Sequence, residues 1–104
     1  MLIPYHKLVR DKIPSIIAQN GKTANTTILD DRRYTAALDR KLKEETREYL
    51  RSKDLTELAD ILEVVEALAK NQGASFEDVL ALKQQKQTTN GAFAQRIFLR
   101  SVKK

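Results

Sequence analysis

The sequence predicts a mainly α protein: an antiparallel helical hairpin or bundle, with a small extended or β element pairing the N- and C-terminal segments. Three observations predict it. Two long stretches, 32–51 and 55–71, carry apolar residues at helical spacing and are separated only by the break "SKD". Three glycines and two prolines in 104 residues are too few for a turn-rich β protein. Beyond Asn90 the period changes, and Phe93, Gln95, Ile97 and Leu99 alternate with Ala94, Arg96, Phe98 and Arg100 as in a strand.

Taken in order, "YHKLVRDKIPSIIAQNGK" starts extended and turns helical from about Pro14, because proline suits a first helical turn and Asn20-Gly21 supplies a stop. "KTANTTIL" is rich in Thr and Asn and reads as an extended connector, with Asp30 or Asp31 as the cap of the next helix. That long helix runs from about Arg32 to Arg51, and a second runs from Leu55 to Asn71, closed by Gly73. So short a break between them requires an antiparallel pair. "SFED" is a capping-box variant opening a further helix from Phe76 to about Gln87. Asn90-Gly91 is then a turn, and the strand after it has its natural partner in the extended N-terminus. With no internal repeat, linker or low-complexity segment, residues 1–104 are expected to form a single domain.

Composition narrows the function classes. The chain has no cysteine, which excludes disulfides, thiolate metal sites and cysteine nucleophiles. Nineteen Lys and Arg against fourteen Asp and Glu give a net charge of +5, which favours an anionic partner: nucleic acid, a membrane surface or a phosphorylated small molecule. "MLIPYHKLVRDKIP" meets charge and proline too early for a signal peptide, and no apolar run approaches membrane-spanning length. The expectation is a cytoplasmic protein with no membrane partner.

Against this basic background, "KLKEETREYLRSKDLTELADILEVV" gathers two acidic pairs, Glu45 with Glu48 and Glu57 with Asp60. At about 100° per residue, Leu38, Leu42, Glu45 and Tyr49 share a narrow arc, so Glu45 sits on the buried stripe. Glu48 and Lys41 flank that stripe, and Glu44 points further toward solvent. The second helix has an apolar arc of about 180° that holds Leu55, Leu58, Ile61, Leu62, Val64, Val65 and Leu68. Glu57 projects inside that arc and Asp60 borders it. If the two apolar faces meet, all four carboxylates converge on a half-buried spot, where they cannot all stay ionised without compensation. A divalent cation compensates them, and an all-oxygen set with no Cys and no nearby His suits a hard ion, Mg2+ or Mn2+. Two plainer readings compete. The first pair can belong to a solvated face of ion pairs, Lys41 with Glu45, Glu44 with Arg40 and Glu48 with Arg51. Glu57 can be the third residue of a capping box begun by Asp54.

"EETRE" followed by "ELAD" resembles the EExxE…ExxD signature of the all-α, MazG-like nucleoside triphosphate pyrophosphohydrolases. "YHKLVRDKIPSII", "ILDDRRY", "ELADILEVVEAL" and "NGAFAQRIFL" are similar to a phosphoribosyl-ATP pyrophosphohydrolase-like house-cleaning branch, and together they span nearly the whole chain. The resemblance implies Mg2+-dependent hydrolysis of a nucleoside triphosphate, of a non-standard or deoxy kind, to nucleoside monophosphate and pyrophosphate. It carries Glu45, Glu48, Glu57 and Asp60 over as metal ligands, with Glu44 as the leading acid of the motif. Glu44 and Glu48 are the candidates to position or deprotonate the attacking water. The chain departs from the pattern in the short gap between Glu48 and Glu57, and in "NGAF" where an Arg-Gly-Gly-Phe-like sequence is expected.

Phosphates also need positive charge and N–H donors around the ion. Lys7, Arg10 and Lys12 near the N-terminus, and Lys83, Lys86 and Arg96 near the C-terminus, are the candidates, the last two because they flank the Gly91 turn. Phe93 beside Gly91 is a candidate to stack on a nucleobase, and His6 reads as a packing or surface residue. The alternative functions are a small basic helical module that binds nucleic acid and a catalytically inactive nucleotide-binding relative. The wide apolar arc of the second helix is more than one neighbour can cover, so a homodimer or higher homo-oligomer is expected.

Overall fold

A computed structural model describes residues 2–104. Four helices follow one another: α1 (Ile13–Gln19), α2 (Asp31–Ser52), α3 (Leu55–Asn71) and α4 (Phe76–Asn90). The fold is all-α, and no helix among the described residues is long and apolar enough to cross a membrane.

Local chemistry sets these bounds. Asp30 is the cap of α2, its carboxylate accepting from the Arg33 N–H at 2.9 Å. Asp54 caps α3 by accepting from the Thr56 N–H at 3.0 Å. Ser75 and Asp78 form a reciprocal capping box at the start of α4. Lys53 takes the left-handed conformation, φ 57°, in the sharp turn between α2 and α3, and its N–H donates to the Tyr49 carbonyl at 2.7 Å. The turn expected at Asn90-Gly91 is the end of α4, where the Gly91 N–H donates to the Gln87 carbonyl at 2.8 Å. Its φ of 89° is one that glycine adopts without strain.

α2 and α3 pack as the expected antiparallel hairpin. Leu38, with 2% of its surface exposed, is the centre of a small core that also holds Ala37, Val64 and Ala69. The far end of the hairpin is tied by Asn71 Nδ2 donating to Thr35 Oγ1 at 3.0 Å. α4 touches α3 more lightly, and α1 makes no packed contact with another helix.

The expected β element is not formed: no strand occurs among the described residues. The N-terminal segment is held instead to the hairpin by ion pairs from Lys7 and Arg10, which takes it away from the C-terminal segment that was to be its partner. Residues 91–104 keep their strand-like sequence pattern without a ladder. Phe93 is 98% exposed and Phe98 86% exposed.

Candidate functional site

The convergence expected at the hairpin is present for three of the four carboxylates. Glu45 on α2 and Glu57 and Asp60 on α3 each place a carboxylate oxygen within 4.8 Å of the others. Helix geometry accounts for this. Glu45 lies one turn from Leu42 and Tyr49 on the buried stripe, and its side chain is only 12% exposed. Glu57 and Asp60, three apart, project from the first turns of α3 where the hairpin closes. Around Mg2+, at a metal–oxygen distance of about 2.1 Å, adjacent oxygens lie about 3.0 Å apart and opposite ones about 4.2 Å, so a shared ion needs at least two of the three oxygen pairs at the shorter spacing, which side-chain rotation would supply.

Glu48 does not join this triad. Its Oε2 is paired with Arg51, one turn on, the solvated ion pair that the sequence offered as the competing reading. It remains close enough for its charge to act on Glu57. The Asp54 capping-box alternative for Glu57 is not realised, because the Asp54 N–H donates to Ser52 Oγ at 3.1 Å and leaves Glu57 facing the other acids.

A layer of cations surrounds the triad. Lys41 Nζ bridges Glu44 at 3.2 Å and Glu45 at 3.3 Å, and is itself 17% exposed. Lys7 reaches Glu44 at 3.2 Å. Arg10 forks between Asp60, at 2.7 Å, and Glu63, at 3.2 Å. Glu44 therefore does not point freely into solvent, as its helical angle suggested, and does not pair with Arg40: two lysines hold it.

Two proton affinities respond. Partial burial pushes Glu57 above the usual carboxylate range, reinforced by the charges of Asp60, Glu48 and Glu45. For Glu44 burial pushes the same way, but the hydrogen bonds and charges of Lys7 and Lys41 outweigh it and hold the group below its ordinary value. The cluster thus has one acid short of compensation and one with a surplus.

The other phosphate candidates fall elsewhere. Lys86, Gly91 and Phe93, with Lys83, Gln87 and Asn90, line a shallow hollow at the end of α4. Arg96 lies beyond it with a left-handed φ of 59°. Among the described residues none of Lys83, Lys86 and Arg96 forms an ion pair, and neither does Lys12, which precedes α1. His6 is exposed, with φ 47°. Glu63, which shares Arg10 with Asp60, is the neighbouring acid that sequence reasoning passed over. Its signal was available, since the three-residue spacing of Glu57 and Asp60 continues to Glu63 and Glu66.

No family model matches the chain, and no solved structure matches it. A stretch of 53 residues, 51% of the chain, is 47% identical to an uncharacterized protein of Mycolicibacterium smegmatis. The match spans about half of that relative, 53% of its length.

Proposed function

We propose that the chain is a Mg2+-dependent nucleoside triphosphate pyrophosphohydrolase of the MazG-like kind, releasing pyrophosphate and a nucleoside monophosphate. The observation that carries this reading is the Glu45–Glu57–Asp60 triad, three carboxylates within 4.8 Å in a basic protein. It agrees with the EExxE…ExxD resemblance of the same helices. The donor set is all oxygen and half-buried, which fits Mg2+, with Mn2+ as a substitute.

A bound divalent ion would supply charge neutralisation of the phosphate oxygens and a more acidic water. The chain's own residues have distinct tasks. Glu45, Glu57 and Asp60 would hold the ion, and Asp60 has a second oxygen to offer while accepting from Arg10. Arg10 and Lys7 sit on non-helical backbone beside the triad and exchange their carboxylate partners for phosphate oxygens when a triphosphate enters. Lys41 stays with Glu44, fixing its rotamer, and yields Glu45 to the ion. Glu48 is the acid left to orient the attacking water, since it stands beside the triad and its partner Arg51 is 74% exposed and readily released. Glu44 is the weaker candidate, because two lysines already occupy it.

The test is pyrophosphate release from a panel of NTPs and dNTPs, with and without Mg2+. Release should require the ion and should be lost in Asp60→Asn and Glu45→Gln, with helicity intact by circular dichroism. Absence of release from every nucleotide, together with salt-dependent affinity for oligonucleotides, would replace this reading with nucleic-acid binding.

A further inference from the structure

The hold of residues 2–29 on the helical hairpin is mainly electrostatic. None of them is buried, α1 packs on no other helix, and no backbone hydrogen bond among the described residues joins them to α2, α3 or α4. What joins them are three ion pairs: Lys7 with Glu44 at 3.2 Å, and Arg10 with Asp60 at 2.7 Å and with Glu63 at 3.2 Å. Glu44 stands on α2, and Asp60 and Glu63 stand on α3, so residues 7–10 cross the seam of the hairpin. Three residues reach up to about 10 Å, comparable with the separation of packed helix axes. The crossing falls at the triad, since Glu44 adjoins Glu45 and Asp60 is itself a member.

Charge makes this strap responsive to what the triad holds. Glu44, Glu45, Glu57, Asp60 and Glu63 face Lys41 from the hairpin and Lys7 and Arg10 from the strap, while Glu48 already has Arg51. With the strap away, five carboxylates against Lys41 alone leave four net negative charges. A divalent ion halves that number, and a triphosphate then adds about four more. The pull on Lys7 and Arg10 is therefore weakest with the ion alone, intermediate without it and strongest with both. Solvated pairs of this kind are weak enough to follow such changes: the Lys7 and Arg10 side chains are 43% and 52% exposed. Departure also leaves little uncompensated, because Glu44 keeps Lys41 and Glu63 is half exposed.

The geometry points to a charge-latched lid: residues 2–12 loosen when the triad takes a divalent ion alone, and close again over the ion together with a triphosphate. The response to ion and triphosphate rests on the pyrophosphohydrolase reading; the ionic hold of the strap does not.

The absence of native cysteine allows a direct test. Spin labels at Ile3→Cys and Thr46→Cys, both exposed positions, report the distance from the strap to α2, and an excess of unlabelled chain removes distances between copies. One narrow distance is expected at low salt without divalent ions, a broader and longer distribution in Mg2+ alone, and the narrow one again in Mg2+ with inorganic tripolyphosphate. Lys7→Gln with Arg10→Gln should be broad in all three conditions while circular dichroism shows the helicity unchanged. Coupling is reciprocal, so this double variant should also bind Mg2+ about fivefold more tightly by calorimetry. A narrow distance in the double variant overturns the latch. Labels unmoved by Mg2+ that calorimetry shows bound, equal broadening in NaCl of the same ionic strength, or a distribution still broad with tripolyphosphate overturns the lid. If neither chain binds Mg2+, the metal-site reading and the response built on it are both refuted, and the double variant still decides whether ion pairs hold the strap.

Discussion

Replacing Lys41 with methionine isolates the electrostatics of the acidic cluster. The substitution keeps most of the apolar stem and removes one charge. That charge makes two contacts, to Glu44 at 3.2 Å and to Glu45 at 3.3 Å, and the three side chains are 17%, 31% and 12% exposed. Removing one partner of a fully buried pair costs about 3–5 kcal/mol, and an exposed pair is worth less than about 1 kcal/mol. At this intermediate burial the loss should be about 2 kcal/mol, or roughly 8–10 °C in Tm for a domain of this size. Lys41 also competes with a cation for Glu45. Lys41→Met should therefore gain more from added Mg2+ than the native chain does, and the difference between them should narrow to less than half at saturating ion. The assay is thermal unfolding by circular dichroism at fixed protein concentration across a Mg2+ titration. Equal destabilisation with and without Mg2+ would refute the argument that the triad is a compensated anionic site.

The packing and the proton affinities give two further expected outcomes. Leu38→Ala removes the one almost completely buried side chain of a very small core, so urea unfolding should show a loss of about 3 kcal/mol, enough to leave the hairpin marginal. Glu57 has its proton affinity raised in the native state, so the folded chain binds more protons there than the unfolded chain. Its contribution favours folding in acid and is lost as pH rises from the ordinary glutamate value through the raised one. Glu57→Gln should accordingly remove a downward slope in metal-free Tm over that window. A slope unchanged by the substitution, or reversed in the native relative to the variant, would show that burial and the neighbouring acids do not raise the proton affinity of Glu57.

Much of the fold was legible because its determinants are local. Asp30, Asp54 and the Ser75–Asp78 box each act within three residues, so the starts of α2, α3 and α4 could be read within a residue from composition and spacing. The three-residue spacing of the acids likewise put Glu45, Glu57 and Asp60 on the faces that meet. What spacing could not resolve was the competition for each carboxylate. Glu48 is equally able by periodicity to face the triad or Arg51, and it takes the arginine. The strand expected beyond Gly91 failed for a related reason. Alternation states that one side of a segment is apolar, and leaves open which surface covers it.

By itself, then, the sequence determined four helices, their caps, a hairpin and an acidic spot upon it, because helices are built from contacts within one or two turns. Only the tertiary structure decided that Arg10 crosses 50 residues to meet Asp60, that Lys41 and Lys7 share Glu44, and that the C-terminal segment stays exposed among the described residues. Those outcomes depend on which surfaces come together. Contacts between distant residues are chosen by the whole arrangement of shape and charge, which no local period encodes.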